Sequence, residues 1–239
     1  MDLSALVTKT LERRERPTDP LRITQAGHPA LRARSRPWSG QLAPALLTEL
    51  VEAMVITMRE APGVGLAAPQ VGIPLQLMVI EDRIEPEEPE EPEADDLAEG
   101  VSADPLRRSP VDLRVLLNPT YASVGPRRAL FWEGCLSVRG WQSIVPRHLT
   151  VRWEAQERLA DGRIVDAAEE WTGWPARIMQ HETDHCAGTL CHDLAVPRSF
   201  VEDRYTGRYA DLEEAVRWLG LEGPVTELQP GSIEIDLPT

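Results

Sequence analysis

Five consecutive residues carry the strongest chemical signal in the chain: His181, Glu182, Thr183, Asp184 and His185. On a helix, positions i and i+4 lie one turn apart on one face, so the two imidazoles can converge on a single metal ion. Glu182, beside them, can reach a metal-bound water as a general base. The same pattern also arises by accident on solvated helices, so its context decides. Trp174 and Ile178 lie on the other side of this helix, which predicts burial. Two histidines and a glutamate are costly to bury unless paired or metal-bound. A catalytic site with one open position needs a third protein ligand. Downstream, His192 and Asp193 could supply it in the manner of a zincin peptidase, although neither sits in a longer zincin pattern. Upstream, Cys135 in Glu133-Gly134-Cys135-Leu136-Ser137 is the better candidate, because Gly134 permits the close backbone approach that a metal loop needs. Viewed singly, such a cysteine is more often a small buried hydrophobe than a ligand.

The elements that must hold these residues are legible in outline. The motif helix is expected over 172–187, with Thr172 as a cap, Pro175 in the first turn and Gly188 as the stop. Residues 41–60 read as an amphipathic helix, with Leu46, Leu47, Leu50, Val51, Met54, Val55 and Met58 recurring at three and four. A Gly- and Pro-punctuated loop follows, then a strand-length apolar run at 75–80. Residues 113–120 read as a strand ending in an Asn-Pro turn. Segments 144–153 and 163–170 read as antiparallel strands, with a hairpin signal at Asp161-Gly162 between them. One more helix is expected at 209–219. Short strands, few helices and no βαβ alternation give an α+β fold. Its expected form is short antiparallel β-sheets around a central helix carrying the HExxH motif.

The 239 residues carry a net charge of −14, and most of it is local. Residues 81–112 hold thirteen Asp and Glu against three Arg, leaving only −4 for the remainder. This Glu- and Pro-rich stretch cannot bury enough apolar surface to offset its ordering entropy, and reads as an insertion. The alternative is an acidic docking arm for a basic partner. Direct nucleic-acid binding is disfavoured, because it needs a basic footprint. No apolar run reaches 18 residues, so no membrane span is expected. The charged N-terminus lacks the apolar core of an export signal, which points to the cytoplasm. In that reducing compartment Cys135, Cys186 and Cys191 read as core residues, ligands or nucleophiles rather than bridges. The domain reading is a loosely attached polar arm over 1–20, a catalytic domain over 21–200 interrupted by 81–112, and a C-terminal helix and tail over 201–239.

Three blocks occur in one order: Gly63-Val64-Gly65-Leu66-Ala67-Ala68-Pro69-Gln70, then Glu133-Gly134-Cys135-Leu136-Ser137, then Gln180-His181-Glu182-Thr183-Asp184-His185. Together they resemble the three motifs of the bacterial peptide deformylases, over roughly residues 21–80 and 113–195. The resemblance implies removal of the formyl group from N-formylmethionyl chains of nascent proteins. It implies Cys135, His181 and His185 as metal ligands, water as the fourth, and Fe(II) as the metal with Zn(II) as a substitute. A thiolate with two imidazoles suits Fe(II), Zn(II), Ni(II) or Co(II), and excludes Mg or Ca. Glu182 would take the proton of the attacking metal-bound water and give it to the leaving amine. Gln70 and the Leu136 backbone N–H would stabilise the tetrahedral intermediate. The peptide would add as a strand at Val64, Gly65 and Gly134, with Val64, Trp174 and Ile178 as walls for the methionine side chain. Asp184 reads as a structural carboxylate.

The chain departs from the family at several positions. Arg139 stands where Pro is common, Gln142 where Arg is common and Cys186 where Leu is favoured. These departures put the supports beneath the Glu133 and Cys135 loops in question. Residues 201–239 hold nine acidic and three basic residues, so a basic ribosome-docking tail is not expected and only transient ribosome contact remains. Two other readings stay open: a zincin-like metallopeptidase, and a deformylase-like metal-binding protein with weak or no catalysis.

Overall fold

The computed structural model describes residues 2–61, 63–83, 108–209 and 212–220. Two helices open the chain, α1 (Leu3–Leu11) and α2 (Pro44–Glu60). Then come β1 (Gly65–Ala67), a 3-10 turn over Ala68–Val71, and β2 (Leu77–Asp82). Five strands follow: β3 (Val111–Ser123), β4 (Arg128–Gly134), β5 (Trp141–His148), β6 (Thr150–Arg158) and β7 (Ile164–Thr172). The motif helix α3 (Trp174–Ala187), the short β8 (Val201–Glu202) and α4 (Leu212–Leu219) complete the order. One antiparallel sheet runs β1-β2-β3-β6-β7, and a smaller one runs β4-β5-β8. The fold is α+β.

The larger sheet is covered on both faces at β2 and β3, and the apolar runs there show why. Successive strand side chains point to opposite faces. Leu77, Val79, Val115 and Leu117 join the core beneath α1 and α2. Met78, Ile80 and Leu116 join the core that packs α3 through Ala176, Ile178 and Met179. The motif helix is thus gripped from the sheet side, and its opposite flank faces the smaller sheet. Pro175 is in its first turn. Gly188, at φ 85°, ends it. The capping residue is Gly173, not Thr172. Thr172 ends β7 and bonds the Thr150 hydroxyl at 2.9 Å instead.

Several expectations need correction. Residues 3–11 are not a loose arm: α1 buries Leu3, Val7 and Leu11 against the α2 core. Leu11→Ala is expected to cost about 2–3 kcal/mol of stability in urea unfolding. A loosely attached arm would show a change within about 0.5 kcal/mol. The Gly- and Pro-rich loop after α2 contains β1, paired with β2. The Asn-Pro pair does not turn the chain. Strand β3 continues through it, with Asn118 at φ 53° and a register shift between Leu117 and Thr120. A bulge tolerates both the left-handed residue and the proline. Asn118 is fixed there by bonds to both the N–H and the carbonyl of Trp38, at 2.6 and 2.9 Å. The 144–153 segment is two strands, β5 and β6, hinged at Leu149. The hairpin at Asp161-Gly162 joins β6 to β7.

The insertion is narrower than 81–112. Glu81 and Asp82 belong to β2, and Val111, the first residue of β3, pairs with Asp82. Asp82 accepts from Arg108 at 3.0 Å and from the Trp174 indole at 2.9 Å. Residues 84–107, the centre of the stretch, lie outside those described. In α4, Ala215 is buried and Leu219 packs near Leu130 and Ile144. No helix among the described residues is long and apolar enough to cross a membrane.

Candidate metal centre and active-site cleft

Helix α3 presents His181 and His185 on one face, as their spacing predicts, with ring centroids 5.0 Å apart. The end of β4 delivers Cys135 to the same point, its Sγ 3.5 Å from His185 Nε2. The donor atoms of Cys135, His181 and His185 lie within 4.8 Å of one another. One sulfur and two ring nitrogens at that spacing fit a late first-row divalent ion. The downstream candidates do not join them. His192 Nδ1 is 2.6 Å from the Ser143 hydroxyl, and Asp193 pairs with Arg32 and accepts the Leu190 N–H.

Beneath these residues is a buried ionic network for which the sequence carries only indirect signals. Glu133 accepts from Arg147 at 2.9 and 3.0 Å, and from Arg177 at 2.6 Å. His181 Nδ1 lies 3.0 Å from the same carboxylate. Glu133 therefore fixes the His181 ring and leaves Nε2 for a metal. Arg147 extends the network to Asp184, which also accepts the Tyr121 hydroxyl at 3.0 Å. Burial alone would raise the Glu133 pKa, but Arg147 and Arg177 outweigh it and hold the carboxyl well below its usual range. The supports that Arg139 and Gln142 left in question are thus supplied by Arg147 and Arg177. Two signals pointed to them. Arg177 lies four residues before His181, and Arg147 shares the inward alternation of Val145 on β5.

Cys135 packs beside Cys191, and its Sγ accepts the Ser137 N–H at 3.4 Å. The neighbouring Cys191 thiol, against the opposing effect of burial and with help from His185 and His181, holds the Cys135 thiol well below its ordinary pKa. Cys191 was not expected near the site. Cys186 lies apart, in the apolar core under the larger sheet.

Glu182 is 4 % exposed, and burial raises its pKa. Its carboxylate lies against the bare backbone of β1. A Cβ at Gly65 would clash with the Glu182 carboxylate. Gly65→Ala is therefore expected to displace the glutamate and lower turnover by at least tenfold, with metal content unchanged. Metal analysis alongside steady-state kinetics checks it. Gly134 is different: a Cβ there would meet Gln142 at 3.5 Å, an ordinary contact, so close packing does not demand a glycine. Gln70 is 1 % exposed. Its Oε1 accepts the Ala67 N–H at 2.8 Å, which turns the amide Nε2 toward Cys135 Sγ, 3.7 Å away.

A cleft of about 800 Å³ opens above these groups. Val64, Gly65, Gly134 and Leu136 line it, with Trp174 and Ile178 as apolar walls. Cys135, His181, Glu182 and Gln70 also reach it. His185 lies deeper, at 1 % exposure. Among the described strands, β1 and β4 are edge strands of their sheets, and both border the cleft.

A helix bearing two imidazoles and a carboxylate, held in an α+β frame and opening on a cleft between two sheet edges, places the chain among the metal-dependent hydrolases. Comparison with known proteins narrows the class. The family model for polypeptide deformylase matches residues 20–200. Peptide deformylase 1 of Streptomyces coelicolor is 50% identical over 185 residues, 77% of each chain. Peptide deformylase 3 of Streptomyces avermitilis is 52% identical over 181 residues, 75% of this chain and 73% of that one. Among solved structures, the Met-Ala-Ser-bound class I type b peptide deformylase of Acinetobacter baumannii is 30% identical, with a TM-score of 0.58 over 74% of this chain and 99% of that one. This chain belongs to the polypeptide deformylase family.

Proposed function

We propose that Cys135, His181 and His185 hold the metal ion on which this deformylase depends, and that Glu182 moves the protons of the reaction. The enzyme removes the formyl group from nascent peptides. The observation that carries the residue assignment is the convergence of one sulfur and two imidazoles beside a buried carboxylate at the floor of the cleft. We take the metal to be Fe(II), with Zn(II), Ni(II) and Co(II) able to occupy the same donors. When bound, it supplies a Lewis acid that makes water acidic enough to attack a formamide near neutral pH.

The other steps belong to the chain. Glu182 accepts the proton of the attacking water at its carboxylate and returns it to the leaving amine. Its raised pKa suits both halves of that task. The Gln70 amide, held by Ala67 with its N–H groups inward, donates to the oxygen on which negative charge develops. The Leu136 N–H, next to Cys135, is the second donor; its own carbonyl is tied by Gln25 at 3.0 Å. An N-formylmethionyl peptide lies extended between β1 and β4, bonding the backbone at Val64, Gly65 and Gly134. Its methionine side chain rests against Val64, Trp174 and Ile178. We take the enzyme to act in the cytoplasm on nascent chains, with transient ribosome contact; the 201–239 segment is acidic, unlike a basic docking tail.

Anaerobic reconstitution with Fe(II), followed by hydrolysis of formyl-Met-Ala-Ser, tests the reading. Free amine should appear with the wild type. Cys135→Ser should lose bound metal and activity together, measured by metal analysis and by the same assay. A Cys135→Ser protein that retains stoichiometric metal would move the third ligand elsewhere.

A further inference from the structure

Cys191 packs beside Cys135, and the deformylase reaction gives Cys191 no use. Cys135 follows directly on β4, and Cys191 opens the 3-10 turn Cys191–Asp193 just beyond α3. The two pack in one small cluster with Val145. Their access differs. Cys135 lines the cleft, whereas Cys191 is 1 % exposed. The Cys191 sulfur also lies within 4.8 Å of Glu133 and His181 donor atoms, so it sits at the back of the proposed metal site.

We propose that Cys135 and Cys191 are a reversible redox pair, in which peroxide entering the cleft oxidises Cys135 and Cys191 captures it as a disulfide. In the first step the Cys135 thiolate attacks one oxygen of hydrogen peroxide. A sulfenic acid forms and hydroxide leaves. In the second, the Cys191 sulfur attacks the sulfenic sulfur, the S–S bond forms, and the Cys191 proton leaves with the displaced hydroxyl as water. Two electrons pass from the two sulfurs to the two peroxide oxygens. The consequence rests on the ligand assignment above: a disulfide withdraws the thiolate, and the metal is released. The bond itself depends only on the proximity of the two thiols. Capture also stops Cys135 short of the sulfinic acid, which thiols do not reverse. The site would then be switched off and recovered rather than destroyed.

The test uses full-length, metal-loaded protein, graded hydrogen peroxide, alkylation of remaining thiols and peptide mapping without reductant. The expected result is a Cys135–Cys191 cross-linked peptide, with free thiols falling from three to one and Cys186 the one still alkylated. A chromogenic chelator should record metal release in step, and dithiothreitol should restore all three thiols. In Cys191→Ser the same treatment should carry Cys135 to sulfinic acid, which dithiothreitol does not recover. Wild-type protein in which Cys135 becomes sulfinic acid while Cys191 stays free would overturn the pair. If Cys191→Ser does not fold, the wild-type map alone decides. A cross-linked peptide with the metal still bound would uphold the pair and instead overturn Cys135 as a ligand.

Discussion

Glu182→Gln is expected to lower turnover about 10²–10⁴-fold while metal content stays at the wild-type level. The substitution keeps the shape of the side chain and removes only its capacity to take up a proton. Shape matters at this position, because the side chain is wedged against the Gly65 backbone and has no room for a larger group. Glu182 Oε2 is buried without a protein partner, as a group kept for an exchanging proton should be. No structural bond is therefore lost in the variant, and its unfolding midpoint should match the wild type. Parallel measurement of kcat, metal stoichiometry and urea midpoint separates the roles. Loss of metal along with activity would make Glu182 a ligand, and an unchanged kcat would remove it from proton transfer.

Arg147→Met is expected to destabilise the fold by about 3–5 kcal/mol, the usual cost of leaving a buried carboxylate without its partner. Arg147 is 2 % exposed and bridges Glu133 to Asp184, so two buried carboxylates lose a cation at once. Arg177 remains on Glu133, and Tyr121 remains on Asp184, which keeps the loss from being larger. The pH dependence has a definite sign. The folded pKa of Glu133 is depressed. Its contribution to stability is therefore full above the unfolded value of about 4.3, and is lost as pH falls through the folded value. Removing Arg147 raises that folded value, so acid unfolding should begin at higher pH. Urea midpoints between pH 4 and pH 7 check both statements. A loss below about 1 kcal/mol at pH 7 would mean that Arg177 alone carries the carboxylate.

The parts of this molecule that were legible in sequence are those with local periodicity or a fixed spacing. The helix read over 41–60 from apolar side chains recurring over several turns is found as α2, Pro44–Glu60. His181 and His185 are four apart on one helix, and need nothing distant to define their common face. The misses share a cause. Helix α1 is short, and the charged run Glu12-Arg13-Arg14-Glu15-Arg16 just after it made the whole N-terminal stretch read as a polar arm. Strand β4 holds Leu130 and Glu133 buried among partly exposed neighbours, and shows no clean alternation. The Glu133 clamp joins residues 14 and 44 positions apart, a pairing set by the register of β4 with β5 and by the docking of α3. The approach of Cys191 to Cys135 is of the same kind: it depends on where the chain turns after α3, which no local pattern encodes.

The cleft draws on three stretches of chain, at β1, at the end of β4 and along α3, and this ordering bears on how the enzyme comes into being. At about 5–20 residues per second, synthesis needs roughly 6–24 s to proceed from Gly65 to His185. Until then the first wall of the cleft exists without its floor. A growing copy thus lacks a complete site through most of its own translation, and gains it only once α3 has been made.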